Sequence, residues 1–157
     1  MTHKANKISI VVSMILTVIL LMALCALVFW LPPVVNSMIA TADNVGNRAL
    51  MTAGERTFVL VDAYVMVTAA FAAVVLLFFL LREVLLERVF CLRTTRLIAV
   101  ISWCCFLEGF LFLLIGVFFQ LAFGVAIAAY FVGLCLRVVK NVIEEATRFK
   151  IENELTI

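Results

Sequence analysis

Four long apolar runs occupy most of this chain, and inside them only two acidic residues, Asp62 and Glu108, fall where a bilayer would cover them. A run of about 20 apolar residues is what a helix needs to cross a hydrocarbon core about 30 Å thick. The first run extends from Ile8 to Leu31 and the second from Phe58 to Leu81. From Leu97 to Leu136 the chain is apolar for about twice the length of one span, which predicts two helices joined by a tight turn near Gln120, between Gly116 and Gly124. The reading is an all-α membrane protein, a four-transmembrane-helix bundle forming one domain. Its spans are expected at 8–31, 58–81, 97–118 and 121–138, with a segment at 32–57, a loop at 82–96 and a tail at 139–157.

Composition leaves little room for a soluble alternative. Apolar residues make up 67% of the chain and charged residues 14%, with a mean hydropathy of +1.26, well beyond an ordinary globular domain. The formal net charge of +2 and the scatter of basic residues at span ends argue against direct nucleic-acid binding.

Orientation follows from the basic residues. Ten of the twelve lie on one face: Lys4 and Lys7, then Arg82, Arg88, Arg93 and Arg96, then Arg137, Lys140, Arg148 and Lys150. Only Arg48 and Arg56 fall opposite. The positive-inside rule therefore places both termini and the 82–96 loop in the cytoplasm and the 32–57 segment outside. The first run exceeds a signal-peptide core and ends without a small-x-small cleavage site, so an uncleaved anchor is expected.

Cys25, Cys104, Cys105 and Cys135 lie within spans and Cys91 in the loop, and His3 is the single histidine. This spacing fits neither a disulfide framework nor a zinc site, and packing is the expected role. No nucleophile, base and orienting group converge and no phosphate loop is present, so neither an enzyme nor a bound cofactor is expected.

Pro32 and Pro33 are expected to end the first helix. Beyond them Val34, Val35, Met38, Ile39, Ala42 and Val45 recur at helical spacing, which fits a short helix lying on the headgroups.

Glu108 lies eleven residues after Leu97, roughly 16 Å into the core. An ionised carboxylate at that depth costs about 3 kcal/mol on insertion scales. It should face the interior with a donor or stay protonated, and Thr17, Thr68 and Tyr130 are the donors other spans could offer. Asp62, four residues after Phe58, is expected only about 6 Å deep, and so separated from Glu108 by most of a monolayer. The two acids are candidates for stations on a proton or cation path, set against the plainer reading of one helix-joining acid and one interfacial acid.

Small residues argue for close helix packing: Ala122, Ala126, Ala129 and Gly133 on one face of the fourth span, Gly109 and Gly116 on the third, Ala69 and Ala73 on the second. A compact bundle with little central volume is expected, and homo-oligomers remain a route to a path between subunits.

Beyond Arg137, the residues Val138, Val139, Val142, Ile143, Ala146 and Phe149 continue an apolar stripe, with Lys140, Asn141, Glu144, Glu145, Arg148 and Glu152 opposite. The fourth helix is therefore expected to run on into the cytoplasm. Phe149 with the closing Glu152, Asn153, Glu154, Leu155, Thr156 and Ile157 forms the candidate docking element for a cytoplasmic regulatory protein, set against the equal alternative that this end tucks against Val84, Leu85, Val89 and Phe90 of the 82–96 loop.

At this tail a resemblance emerges. The run E-E-A-T-R-F-K-I-E-N-E-L-T-I, Glu144 to Ile157, and the run R-V-F-C-L-R-T-T-R-L-I-A-V-I-S, Arg88 to Ser102, resemble the small bacterial four-span family catalogued as domain of unknown function 2975. The chain departs from that pattern at Cys91-Leu92-Arg93, where a more polar turn is expected, and at Glu154, where aspartate is common. The resemblance implies a multi-pass protein of the bacterial cytoplasmic membrane without an established activity, often encoded beside a small helix-turn-helix regulator. It carries over no site residue, and it raises the expectation of a regulatory role.

Overall fold

The computed structural model describes the backbone of residues 2–45, 52–86 and 91–154, and the side chains of residues 8–41, 52–86, 91–149 and 152. Four helices follow in order: α1 Thr2–Val45, α2 Ala53–Leu85, α3 Leu92–Gly116 and α4 Leu121–Glu154. Each is long and apolar enough to cross a membrane, so the all-α membrane architecture and the count of spans stand as read from the sequence.

The prolines do not end the first helix. Pro32 and Pro33 lie inside α1, which continues to Val45. Each proline removes a ladder donor at a cost of about 3 kcal/mol, and burial just beyond them offsets it. Leu31, Val35 and Ile39 form a buried cluster with Val59, Ala63 and Val67 of α2, joined by Leu60 and by Phe118 and Phe119 from the α3–α4 turn. The short helix expected on the headgroups from Val34 to Val45 is therefore a continuation of α1, packed in part against α2. Along α1, Thr17, Leu21, Leu24, Leu31, Val35 and Ile39 are buried or half-buried at steps of three, four and seven residues, the spacing of a helix seam.

α2 also starts earlier than its apolar run. Thr52 caps it: the Glu55 backbone N–H donates to Thr52 Oγ1 at 3.4 Å, and the Glu55 carboxylate accepts from the Thr52 backbone N–H at 2.7 Å. This reciprocal capping box begins the helix at Ala53, five residues ahead of Phe58.

The α3–α4 hairpin turns at residues 117–120, where the sequence placed it. Its register is fixed by a buried bond from Ser102 Oγ to the Gly133 carbonyl, 2.9 Å. Ala122 and Ala126 are buried against α3, with Ala129 half-buried and Gly133 buried on the same face. Aromatic rings fill the space that the glycines leave. A Cβ on Gly109 would lie 3.1 Å from the Tyr130 ring, and one on Gly133 would lie 3.2 Å from the Phe106 ring. Trp103, Phe106 and Tyr130 follow one another at 6.0 Å centroid spacing, and the Arg137 guanidinium sits 4.9 Å over Trp103.

Neighbouring helices pack in chain order. Among the described residues α1 approaches α2, α2 approaches α3 and α3 approaches α4 within 8 Å at Cα, and no other pair of helices does so. The bundle is thus an open row and not the compact cluster expected from its small residues. The outward faces of α1 and α4 carry large exposed apolar side chains, including Ile15, Ile19 and Phe29 on α1 and Ile127, Phe131 and Leu134 on α4, which suit lipid contact.

The expected 82–96 loop is mostly helix, because α2 ends at Leu85 and α3 begins at Leu92. Glu83 is buried there and pairs with Arg93 across the hairpin at 3.3 Å. Removing Arg93 leaves a buried carboxylate without its cation. Because Arg93 itself is exposed, Arg93→Ala should cost about 1–2 kcal/mol, read as a lowered melting temperature of the detergent-solubilised protein, and Glu83→Gln should cost less.

Candidate functional site

α2 and α3 run antiparallel, and each carries one acid on the inside of the row. Asp62 is nine residues from the start of α2 and Glu108 eight residues from the end of α3. Level is set by contacts across the interface: the Phe58 ring lies 6.2 Å from that of Phe118, and Glu83 pairs with Arg93 at 3.3 Å. In that register Asp62 lies level with about residue 114, six residues or about 9 Å along the axis from Glu108.

Asp62 is buried, with 6% of its surface exposed, and Glu108 is half-buried. Asp62 Oδ2 and Glu108 Oε1 are both buried without a hydrogen-bond partner. The donors that the sequence offered are spent elsewhere: Thr17 Oγ1 donates to the Ser13 carbonyl at 2.8 Å and Thr68 Oγ1 to the Tyr64 carbonyl at 2.8 Å. Tyr130 lies with its ring over Gly109. No lysine or arginine occurs at 57–81 or 97–136, nor at 8–41 on α1. Native proteins rarely leave a buried polar atom unpaired, and ionisable groups inside spans concentrate at functional sites.

The second candidate element is the far end of α4. Ser102 lies level with Gly133, so Leu92, ten residues earlier on α3, lies level with about residue 143. From there α4 continues to Glu154, an overhang of roughly 16 Å beyond its partner helix. Ile143 and Ala146 are half-buried and Thr147 is buried, so one side of the overhang is covered. The other side is open: Phe149 is exposed on it, in line with Val138 and Val142, which are exposed just before the overhang begins, beside the ion pairs Lys140–Glu144 and Arg148–Glu152, the latter at 3.1 Å. The apolar stripe read from the sequence is thus split between a covered and an exposed edge. A depression of about 370 Å³ is lined here by Asn141, Glu144, Glu145, Arg148 and Phe149.

Of the docking candidates, Phe149 is exposed and Glu152 is exposed and paired. Asn153 and Glu154 belong to the last turn of α4, with side chains outside the description. Leu155, Thr156 and Ile157 lie outside the described residues. The sequence also passed over Glu83, because it counted the 82–96 stretch as loop. No group of three or more His, Cys, Asp or Glu side chains among the described residues is placed to hold a metal ion.

No curated protein and no solved structure matches this chain. The family described as "Protein of unknown function (DUF2975)" matches residues 40–157, which include α2, α3, α4, Asp62, Glu108 and the overhang. With three of its four helices inside that match, the chain belongs to the DUF2975 family of membrane-helix proteins.

Proposed function

We propose that this is a membrane-embedded interaction or regulatory protein that acts through a cytoplasmic face formed by the α2–α3 connection and the projecting end of α4. The observation that carries the reading is the overhang: α4 outruns α3 from about residue 143 and keeps Phe149 exposed there, on the edge where Val138 and Val142 are exposed just before it. A helix that serves only to cross the bilayer has no need of about three further turns with a mixed apolar and charged surface. The ten basic residues on the same face support a cytoplasmic location for both termini, and we place the protein in a bacterial cytoplasmic membrane. The expected partner is a cytoplasmic regulatory protein that takes the exposed edge of the helix into a groove.

The test is recovery of bound proteins from mildly solubilised native membranes by the tagged full chain and by a chain ending at Ile151. A partner held by the full chain and lost on truncation supports the reading. Equal recovery by both, or none by either, counts against it.

A second reading is favoured by the two acids inside spans. Asp62, buried with Oδ2 unpartnered, and Glu108, half-buried with Oε1 unpartnered, suit a small transport or ion-conducting subunit in which the two acids are successive stations for protons or cations. Glu108→Gln should then abolish proton or cation flux in liposomes and leave partner recovery untouched.

A further inference from the structure

We propose that Arg137 and Trp103, with Arg96, form a binding site for the phosphate of an anionic phospholipid on the open side of the α3–α4 hairpin, in the leaflet at the α2–α3 end. The site is independent of the docking role proposed above, which supplies only the name of that leaflet, the cytoplasmic one. Its centre is the Arg137 guanidinium, 4.9 Å over the Trp103 ring. A helical side chain leans toward the N-terminus of its own helix, and for Arg137 that direction is toward the α3–α4 turn and into the span. Trp103 lies one residue past Ser102, and so level with about residue 132. The cation therefore reaches inward to the ring instead of outward to water.

A ring face offers no acceptor oxygen, so the planar fork of N–H donors still needs an anion. Among the described residues no carboxylate pairs with Arg137 or with Arg96: Glu83 is held by Arg93, Glu144 by Lys140 and Glu152 by Arg148. Glu145 stands eight residues further along α4, about 12 Å. A cation inside the edge of a span is costly without a partner, and the phosphates of the adjoining leaflet are anions at the right depth.

The hairpin register brings a second cation to the same place. With Ser102 level with Gly133, Arg137 lies level with about residue 98, two residues or about 3 Å along the axis from Arg96. Arg96 precedes Trp103 by seven residues, close to two turns, and so shares its face of α3. Arg96, Val100, Trp103, Leu107 and Phe110 are all exposed along this one stripe. It is charged at one end and apolar over the next four turns, which is the layout of a phospholipid: headgroup on the two arginines, acyl chain along Val100, Leu107 and Phe110. Two cations without carboxylates favour a headgroup of net negative charge over a zwitterionic one.

Trp103 is itself the reporter. Trp30 is the second tryptophan of the chain, and Trp30→Phe leaves Trp103 as the single fluorophore. The full chain is placed in nanodiscs of phosphatidylcholine containing a fixed fraction of lipid with brominated acyl chains, which quench a tryptophan that they touch. Brominated phosphatidylglycerol should quench Trp103 at several-fold lower mole fraction than brominated phosphatidylcholine. Arg137→Gln with Arg96→Gln should bring the two lipids to parity, Arg137→Lys should keep part of the preference, and Arg148→Gln on the overhang should leave it unchanged. Circular dichroism checks that each variant is helical.

Equal quenching by the two lipids in the parent, or a preference that survives loss of both arginines, would overturn the proposal. So would an equal loss in Arg148→Gln, which assigns the effect to overall charge, and relief of quenching by added inorganic phosphate, which assigns the site to a soluble anion. Shielding of Trp103 from both lipids in a disc that holds two cross-linkable chains gives the stripe to a second copy, and likewise overturns it.

Discussion

Gly133→Leu should destroy the α3–α4 hairpin. A Cβ alone at this position would stand 3.2 Å from the Phe106 ring and 3.4 Å from the Cys105 Cβ, and leucine adds three further carbons in the same direction. Overpacking of this kind costs about 1–3 kcal/mol. The movement needed to relieve it also breaks the Ser102–Gly133 bond, the buried side-chain bond across the hairpin, for which about 0.6 kcal/mol is a fair membrane value. Together these take a large share of the 5–15 kcal/mol that ordinarily holds a domain folded. The expected readout is loss of the monodisperse, cooperatively melting species in detergent. Gly124→Leu is the control: nothing lies within 4 Å of a Cβ there, and the same side chain should be accepted against lipid. Equal behaviour of the two variants would contradict the packing described for α3 and α4.

The second large effect is conditional. Glu108→Lys brings a cation into the middle of a span, where Glu108 Oε1 is buried, at a cost of about 2.5–3.5 kcal/mol on insertion scales. Glu108→Gln carries no charge and should hold the parental level. Glu108→Lys should fall several-fold in membrane abundance unless Asp62, the other acid inside a span, can reach it, measured by quantitative immunoblotting of membrane fractions. Equal abundance of the two variants would contradict the burial described for this position.

How far these features were legible in the sequence depends on the scale of the signal. Spans, their number and the turn near Gln120 follow from run length and from the two flanking glycines, a signal spread over tens of residues. The small-residue face Ala122, Ala126, Ala129 and Gly133 was equally readable, and it does meet α3. What misled was the local breaker rule at Pro32 and Pro33. Their backbone cost was visible, but the compensating contact of Val35 and Ile39 with Val59 and Ala63 lies some 24 residues away along the chain and has no local signature.

Asp62 and Glu108 were both legible as unusual, because an acid inside an apolar run stands out. The start of α2 was missed for a different reason: helix edges are set by capping chemistry, and the Thr52–Glu55 box stood in the sequence unread. The open row of helices was not legible at all, because small residues report that a helix packs closely and not how many neighbours it has. The overhang of α4 was foreseen from its stripe. That Thr147 would be buried and Val138, Val142 and Phe149 exposed depends on where α3 begins.

The account holds or falls on whether the end of α4 meets another protein. A photo-crosslinking amino acid in place of Phe149, activated in intact cells, reports what lies against that exposed edge, and the same group in place of Phe131, on the lipid-facing side of the span, provides the comparison. The expected result is a discrete heterologous protein adduct from position 149 and none from position 131. Adducts only to lipid or to a second copy of the chain at position 149, or the same pattern from both positions, would contradict the docking role.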